Sequence, residues 1–385
     1  MALPKPIRLW GLSFVTAAVV AAGAVAAFTA GAAGSGTITA RYAKTADWGT
    51  GSAPASTTAP PSTTTPPPTA AAPSPNTPPT GTSTVPPPSP ASAPNSSAYK
   101  FAPYVDTTQR QDLGALASAA GVKYLTAGFV LSDNGCTPAW NGSSEDPAFT
   151  ARLKAGLSDL RAQGGDAIAS FGGANGTELA LACPDETSLK AAYRTVIDEY
   201  DLTHLDFDIE GTASANQPST TRRWQALAQL QSDYAAAGKT LDISLTLPVL
   251  PSGLTPQGVD VVSTATATGL KLSVVNIMAM DYGDWAAPNP ANRMGFFAEQ
   301  AAQSLHAQLK PLYPATPDPQ LWAMIGITPM IGPNDTAGET FQLADAQTLT
   351  RFATQHHLGR LAMWSLPRDA NSAYEFSHTF EAFTG

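Results

Sequence analysis

Two cysteines and five histidines among 385 residues leave little material for a disulfide-built scaffold or a metal centre. No histidine pair has zinc-protease spacing, and His356-His357 falls at a predicted helix end, so no metal site is expected. The chain also lacks a glycine-rich phosphate loop after an apolar run and a Gly-x-Ser-x-Gly elbow, which leaves nucleotide-dependent and serine-hydrolase chemistry without support. No cofactor is expected. Charge is scarce as well: 13% of residues are charged, with 21 Lys and Arg against 30 Asp and Glu, a net charge of -9. Without a basic cluster to offset that balance, nucleic acid is not an expected partner, and a neutral or cationic polymer fits better.

The first quarter of the chain has little that could form a core. Residues 1–33 read as an export segment, with Lys5 and Arg8 followed by an uncharged Ala, Val and Gly run. Small residues at Ala24-Val25-Ala26 or Ala30-Gly31-Ala32 suit a cleavage site; an uncleaved membrane anchor is the alternative. The expectation is a secreted, extracellular protein, or one held at the cell membrane by this segment. Residues 52–97 are almost entirely Pro, Thr, Ser and Ala; they cannot bury enough surface to fold and predict a semi-rigid spacer. Between the two, within 34–51, the stretch from Thr37 to Gly51 resembles the opening strand of a bacterial family 2 carbohydrate-binding module and covers only that opening. Cys136 and Cys183 both fall in predicted loops of the remaining domain, and an exported chain meets an oxidising compartment. One disulfide is expected; two unpaired buried thiols are the alternative.

From residue 98 to 385, eight short apolar runs alternate with helical patterns: 101–105, 124–129, 167–171, 204–209, 241–247, 274–280, 322–327 and 361–365. Segments such as 147–163, 189–200 and 344–357 suit the helices. Eight βα repeats predict a (β/α)8 TIM barrel, with an open doubly wound sheet as the other architecture. In a barrel, reactive groups come from the C-terminal ends of strands.

The fourth run ends Leu205-Asp206-Phe207-Asp208-Ile209-Glu210-Gly211. Period two puts all three carboxylates on one strand face, where their charges repel and resist desolvation. An acidic edge strand would leave Phe207 and Ile209 without burial. A divalent-cation site would take carboxylate oxygens, although no calcium-binding loop spacing surrounds them. A glycosidase needs a protonated carboxyl close to others, and Glu210, last in the run, is the natural acid. Three further strand ends are unusual. They are Ser170-Phe171-Gly172-Gly173, whose glycines suit either a plain turn or a close approach; Met278 to Trp285, which gathers an acid, a phenol and an indole; and Met363-Trp364-Ser365.

Together, in this order and spacing, these segments resemble the strand motifs of glycoside hydrolase family 18 chitinases across nearly the whole domain. Residues 275–283 and 327–335 look most like a bacterial, often actinomycete, branch. The resemblance implies that Glu210 protonates the glycosidic oxygen, Asp208 orients the substrate acetamido group and Asp206 shares a proton with Asp208. The substrate's own acetamido oxygen would then attack the anomeric carbon, giving an oxazolinium intermediate and retained configuration. Asp281 would contact the sugar and Trp364 would floor it. Two departures stand out: Thr203 occupies the position of another aspartate, and Met280 replaces a tyrosine that holds the acetamido oxygen. Tyr282, two residues on, is expected to supply that hydroxyl from the same strand face. Trp285 and Trp140 are candidate stacking subsites. With no room for an added domain between the last two runs, an open groove is expected. The implied function is a secreted, endo-acting chitinase cutting β-1,4-linked N-acetylglucosamine polymers as a monomer. An endo-N-acetylglucosaminidase acting on N-glycans and a non-catalytic chitin-binding lectin are the alternatives.

Overall fold

The computed structural model describes residues 99–143 and 147–383. The export segment, the module-like segment and the linker lie outside the described residues. Eight parallel strands form one continuous sheet: β1 (Tyr104–Asp106), β2 (Tyr124–Asp133), β3 (Asp166–Gly172), β4 (His204–Asp208), β5 (Asp242–Pro248), β6 (Val274–Ala279), β7 (Ile325–Pro329) and β8 (Arg360–Leu361). Each pairs with the next in chain order. The sheet then closes on itself: Leu361 N donates to Lys100 O at 2.7 Å, Ala102 N to Leu361 O at 3.0 Å and Tyr104 N to Met363 O at 3.0 Å. A helix follows each strand, namely α1 (Leu113–Ala120), α2 (Pro147–Ala162), α3 (Glu186–Tyr200), α4 (Gln217–Ala236), α5 (Pro256–Ala267), α6 (Met294–Leu312), α7 (Leu343–His356) and α8 (Glu375–Phe380). This is the (β/α)8 barrel, and the open sheet is set aside by the closure.

Local chemistry sets the helix starts. Asp112, Asp185 and Asn216 each accept from the backbone N–H three residues on, at 2.9, 2.8 and 2.9 Å, satisfying donors that the first helical turn leaves free. Three predicted strands are displaced. The seventh begins at Ile325, because Trp322 belongs to a short helix, Asp318–Ala323, and stacks on His306 with ring centroids 3.9 Å apart. The first begins at Tyr104 rather than 101, and the eighth is two residues long with Trp364 only bridging to Met330. No helix among the described residues is long and apolar enough to cross a membrane.

The alternation read from β4 decides what faces where. Phe207 points outward into the layer between sheet and helices, stacked on Phe171 at 5.1 Å and edge-on to Tyr193 of α3 and Trp224 of α4. All four are fully buried, and truncating such a ring to alanine costs about 3–5 kcal/mol. Asp206, one residue earlier, must therefore point into the barrel. There it meets an unusually polar interior of Ser170, Ser244, Thr246, Asn276 and Thr328, all buried.

Candidate active site

Asp206 accepts four hydroxyl hydrogen bonds, each from a different side chain. Ser244 and Thr246 of β5 donate to Oδ1 at 2.9 and 2.8 Å, while Tyr104 of β1 and Ser170 of β3 donate to Oδ2 at 2.9 and 2.8 Å. A buried carboxylate so supplied has its lone pairs satisfied without a direct cation. Asp208, also buried, is in the opposite condition. Its Oδ1 has no hydrogen-bond partner among the described residues. Burial pushes its carboxyl well above the usual carboxylate range, and the charges of Glu210 and Asp206 add to the effect.

Strand geometry continues past the end of β4, since Ile209 N donates to Thr246 O at 3.0 Å and Glu210 is extended at φ -122°, ψ 170°. Glu210 therefore stays on the Asp206 and Asp208 face. Although it begins a short helix, Gly211–Ala215, its carboxylate makes no capping bond. Burial pushes its carboxyl up to about 7. Near neutral pH this site thus holds one carboxyl poised between acid and base beside a second whose proton affinity is also raised.

The glycines at the end of β3 are there for close approach. Gly173 N donates to Asp208 O at 2.9 Å. A Cβ on Gly172 would stand 2.1 Å from that carbonyl, and one on Gly173 would stand 2.9 Å from the Phe129 ring; both residues have φ in the left-handed region, +102° and +88°. Phe129 in turn stacks on the half-buried Trp364 at 5.9 Å, and Trp364 lies 6.1 Å from the Tyr104 ring. The structure thereby places Trp364 beside the group that holds Asp206.

Asp281 and Met280 lie at the C-terminal end of β6, both half-buried. Asp281 Oδ1 accepts from Thr336 N at 2.7 Å, and burial raises its carboxyl; among the described residues no hydrogen bond joins it to the three acids. Tyr282 is not brought to the site. Asp281 adopts φ +51°, which breaks the strand alternation that the expectation relied on. The Tyr282 ring instead packs in the core edge-on to Phe297 of α6, its backbone N–H donates to Glu339 Oε2 at 3.1 Å, and its hydroxyl is enclosed. Met280 therefore has no phenol substitute at this position. Trp140 is likewise a packing residue, 4% exposed and edge-on to Tyr200, whereas Trp285 is 69% exposed on the rim. Thr203 hydrogen-bonds to His204 Nδ1 at 2.8 Å.

Cys136 and Cys183 form the disulfide, tying the loop after β2 to the loop after β3 on the rim of the barrel. Among the described residues, no group of three or more His, Cys, Asp or Glu side chains is arranged to hold a metal ion. Sequence reading missed Tyr104, Ser244, Thr246 and Phe129, because each gains its role from contact with residues of other strands or loops. The one available signal was the excess of hydroxyl residues at inward positions of β5.

No family model matches the chain. Over 294 residues it is 40% identical to the "Probable bifunctional chitinase/lysozyme" of Escherichia coli (strain K12), covering 74% of this chain and 32% of that protein. It is 41% identical over 280 residues to "Endochitinase 11" of Metarhizium anisopliae, covering 71% and 53%. The chain thus spans about a third and about half of the length of these curated relatives. The catalytic domain of a hyperthermophilic chitinase from Pyrococcus furiosus superposes with a TM-score of 0.65 at 34% identity, covering 74% of this chain and 96% of that one. The closed barrel, the acids at the end of β4 and a near-complete match to a solved catalytic domain agree: the chain belongs to the chitinases of glycoside hydrolase family 18.

Proposed function

We propose that the chain hydrolyses β-1,4-linked N-acetylglucosamine polymers with retention of configuration, using the substrate's own acetamido group as nucleophile. One observation carries the reading: Asp208 offers a buried, unpartnered carboxyl oxygen directly between Asp206 and a Glu210 whose proton affinity burial has raised. Glu210, protonated at and below neutral pH, gives its proton to the glycosidic oxygen as the bond to the leaving sugar breaks. Asp208 accepts the acetamido N–H on its unpartnered carboxyl oxygen and turns the acetamido carbonyl oxygen toward the anomeric carbon. That oxygen closes the oxazolinium ring, and water then opens it with Glu210 as base. Trp364 supports the apolar face of the ring.

An endo mode is favoured by the connection between β7 and β8, which holds only a small hairpin, Gly332–Pro333 with Thr340–Phe341, and α7. No added domain walls the groove there. Chitin is favoured as the polymer because both curated relatives carry the name of a chitinase. Export and either release or membrane retention are favoured by the composition of residues 1–33.

The test is to incubate the full chain with N-acetylglucosamine oligomers, follow products by mass and the first-formed anomer by proton NMR, and run Glu210→Gln in parallel. Internal cleavage to β-anomeric shorter oligomers, lost in the variant, supports the proposal. Oligomers left intact by the wild type, or an α-anomeric first product, would overturn it.

A further inference from the structure

Arg360, the first residue of β8, is 4% exposed, and its side chain crosses the barrel interior to a strand that is not its neighbour. Its Nη1 donates to Ser244 Oγ on β5 at 2.9 Å, and its Nε donates to Tyr99 O at 3.4 Å. A guanidinium only donates, so it occupies a lone pair of the Ser244 hydroxyl. Ser244 has one hydrogen left to place. Two acceptors are in reach, Asp206 Oδ1 at 2.9 Å and Leu205 O at 3.2 Å; the closer carboxylate oxygen is also the stronger acceptor. Thr246 is set by the same logic. Asn276 Nδ2 donates to its Oγ1 at 3.1 Å, and of the two acceptors in reach of the threonine hydrogen, Asp206 Oδ1 at 2.8 Å and the Tyr104 hydroxyl at 2.9 Å, the carboxylate oxygen is closer and stronger.

Both donors to Oδ1 are thus held in their donating orientation from behind. A proton on Oδ1 of Asp206 would force Ser244 to turn its hydrogen to the more distant Leu205 O and Thr246 to turn its own to the Tyr104 hydroxyl, and it would take the negative charge away from the Arg360 guanidinium behind Ser244. We propose that Arg360, acting through Ser244, is a positioning residue that holds Asp206 as a hydrogen-bond acceptor and so keeps the proton of the acid pair on Asp208. This rests on the roles given to Asp206 and Asp208 above. The cation touches neither substrate nor reacting atoms.

The charged and titratable groups around this array are few. Lys100 and His204 feel the Arg360 charge, and His204 also faces Asp242 and Asp166. Asp206 faces the Tyr104 phenol and Asp208, and through Asp208 it is coupled to Glu210. Burial holds the His204 imidazole below its ordinary value, and its contribution is separated by a His204→Gln control.

The experiment uses the full chain as wild type, Arg360→Met, Arg360→Lys, Ser244→Ala and the Ser244→Ala/Arg360→Met double variant. Two readouts are taken: the pH profile of kcat/KM on N-acetylglucosamine oligomers, and the titration of carbon-13-labelled aspartate carboxyls, assigned with Asp206→Asn. Removing the cation should raise the acid limb by roughly one pH unit and lower kcat about tenfold, with KM little changed. Arg360→Lys should restore the limb. Ser244→Ala should shift it alone, and the double variant should shift it no further. A folded Arg360→Met with an unmoved acid limb would show a structural role only and overturn the inference. If Arg360→Met does not fold, an unmoved limb in Ser244→Ala does the same. Should the wild type cleave nothing, the functional reading fails, yet the carboxyl titration still decides: Asp206 taking up its proton at the same pH with and without Arg360 refutes the role.

Discussion

The proton on Glu210 should set the upper pH limit of activity. Burial pushes its carboxyl to about 7, and the side chain has no capping bond that would hold it ionised. As general acid it must be protonated, so the raised value means that activity is present below about pH 7 and lost above it. At pH 8 about one molecule in ten retains the proton, and kcat/KM should fall about tenfold for each further unit. The natural leaving group, a sugar hydroxyl, needs that proton, whereas an aryl glycoside with an acidic phenol departs without it. Glu210→Gln should therefore cost about 10²- to 10⁴-fold on N-acetylglucosamine oligomers and far less on the first step of the activated aryl glycoside. The assay is kcat/KM against pH for both substrates and both proteins. Equal losses on the two substrates, or an alkaline limb that persists unchanged in the residual activity of Glu210→Gln, would refute the assignment.

Four further outcomes are expected. Glu178 and Arg223 form a buried ion pair, with Arg223 Nη2 at 2.9 Å and Nε at 3.2 Å from the carboxylate; Glu178→Leu strands the guanidinium and should cost about 3–5 kcal/mol in denaturant unfolding. Adding Arg223→Met should recover much of that loss, and additive losses would show that the pair is not coupled. Gly172→Ala should yield a folded protein with little activity, because its Cβ displaces the Asp208 carbonyl; full activity would show that the close approach is dispensable. Replacing Cys136 and Cys183 by serine opens a 47-residue loop and should lower stability by about 4 kcal/mol, read from unfolding midpoints under non-reducing conditions. Trp285→Ala should raise KM several-fold for long oligomers and leave the shortest cleavable ones unaffected, as measured on a series of chain lengths.

Much of this was legible in one dimension. Period-two alternation in β4 depends only on covalent geometry, so the sequence alone established that Asp206, Asp208 and Glu210 share a face and that Phe207 and Ile209 oppose them. Eight repeats of strand and helix pattern likewise carried the barrel and the position of the acids at a strand end. The disulfide pairing needed only two cysteines, both in predicted loops of one domain. Alternation stops serving where the chain leaves regular structure. Asp281 turns through a left-handed conformation, and that single dihedral sends Tyr282 into the core against Phe297 instead of toward the acids. The surroundings of Asp206 were hidden for a different reason: Tyr104, Ser170, Ser244 and Thr246 come from three strands up to 142 residues apart, and Arg360 arrives from a fourth. Which carboxyl is satisfied and which is left unpartnered depends on side chains that meet only when the sheet closes. The sequence by itself thus determined that three acids share one strand face at a strand end, through local periodicity; barrel closure decided how each is buried and partnered, because burial and donor count are properties of the assembled interior.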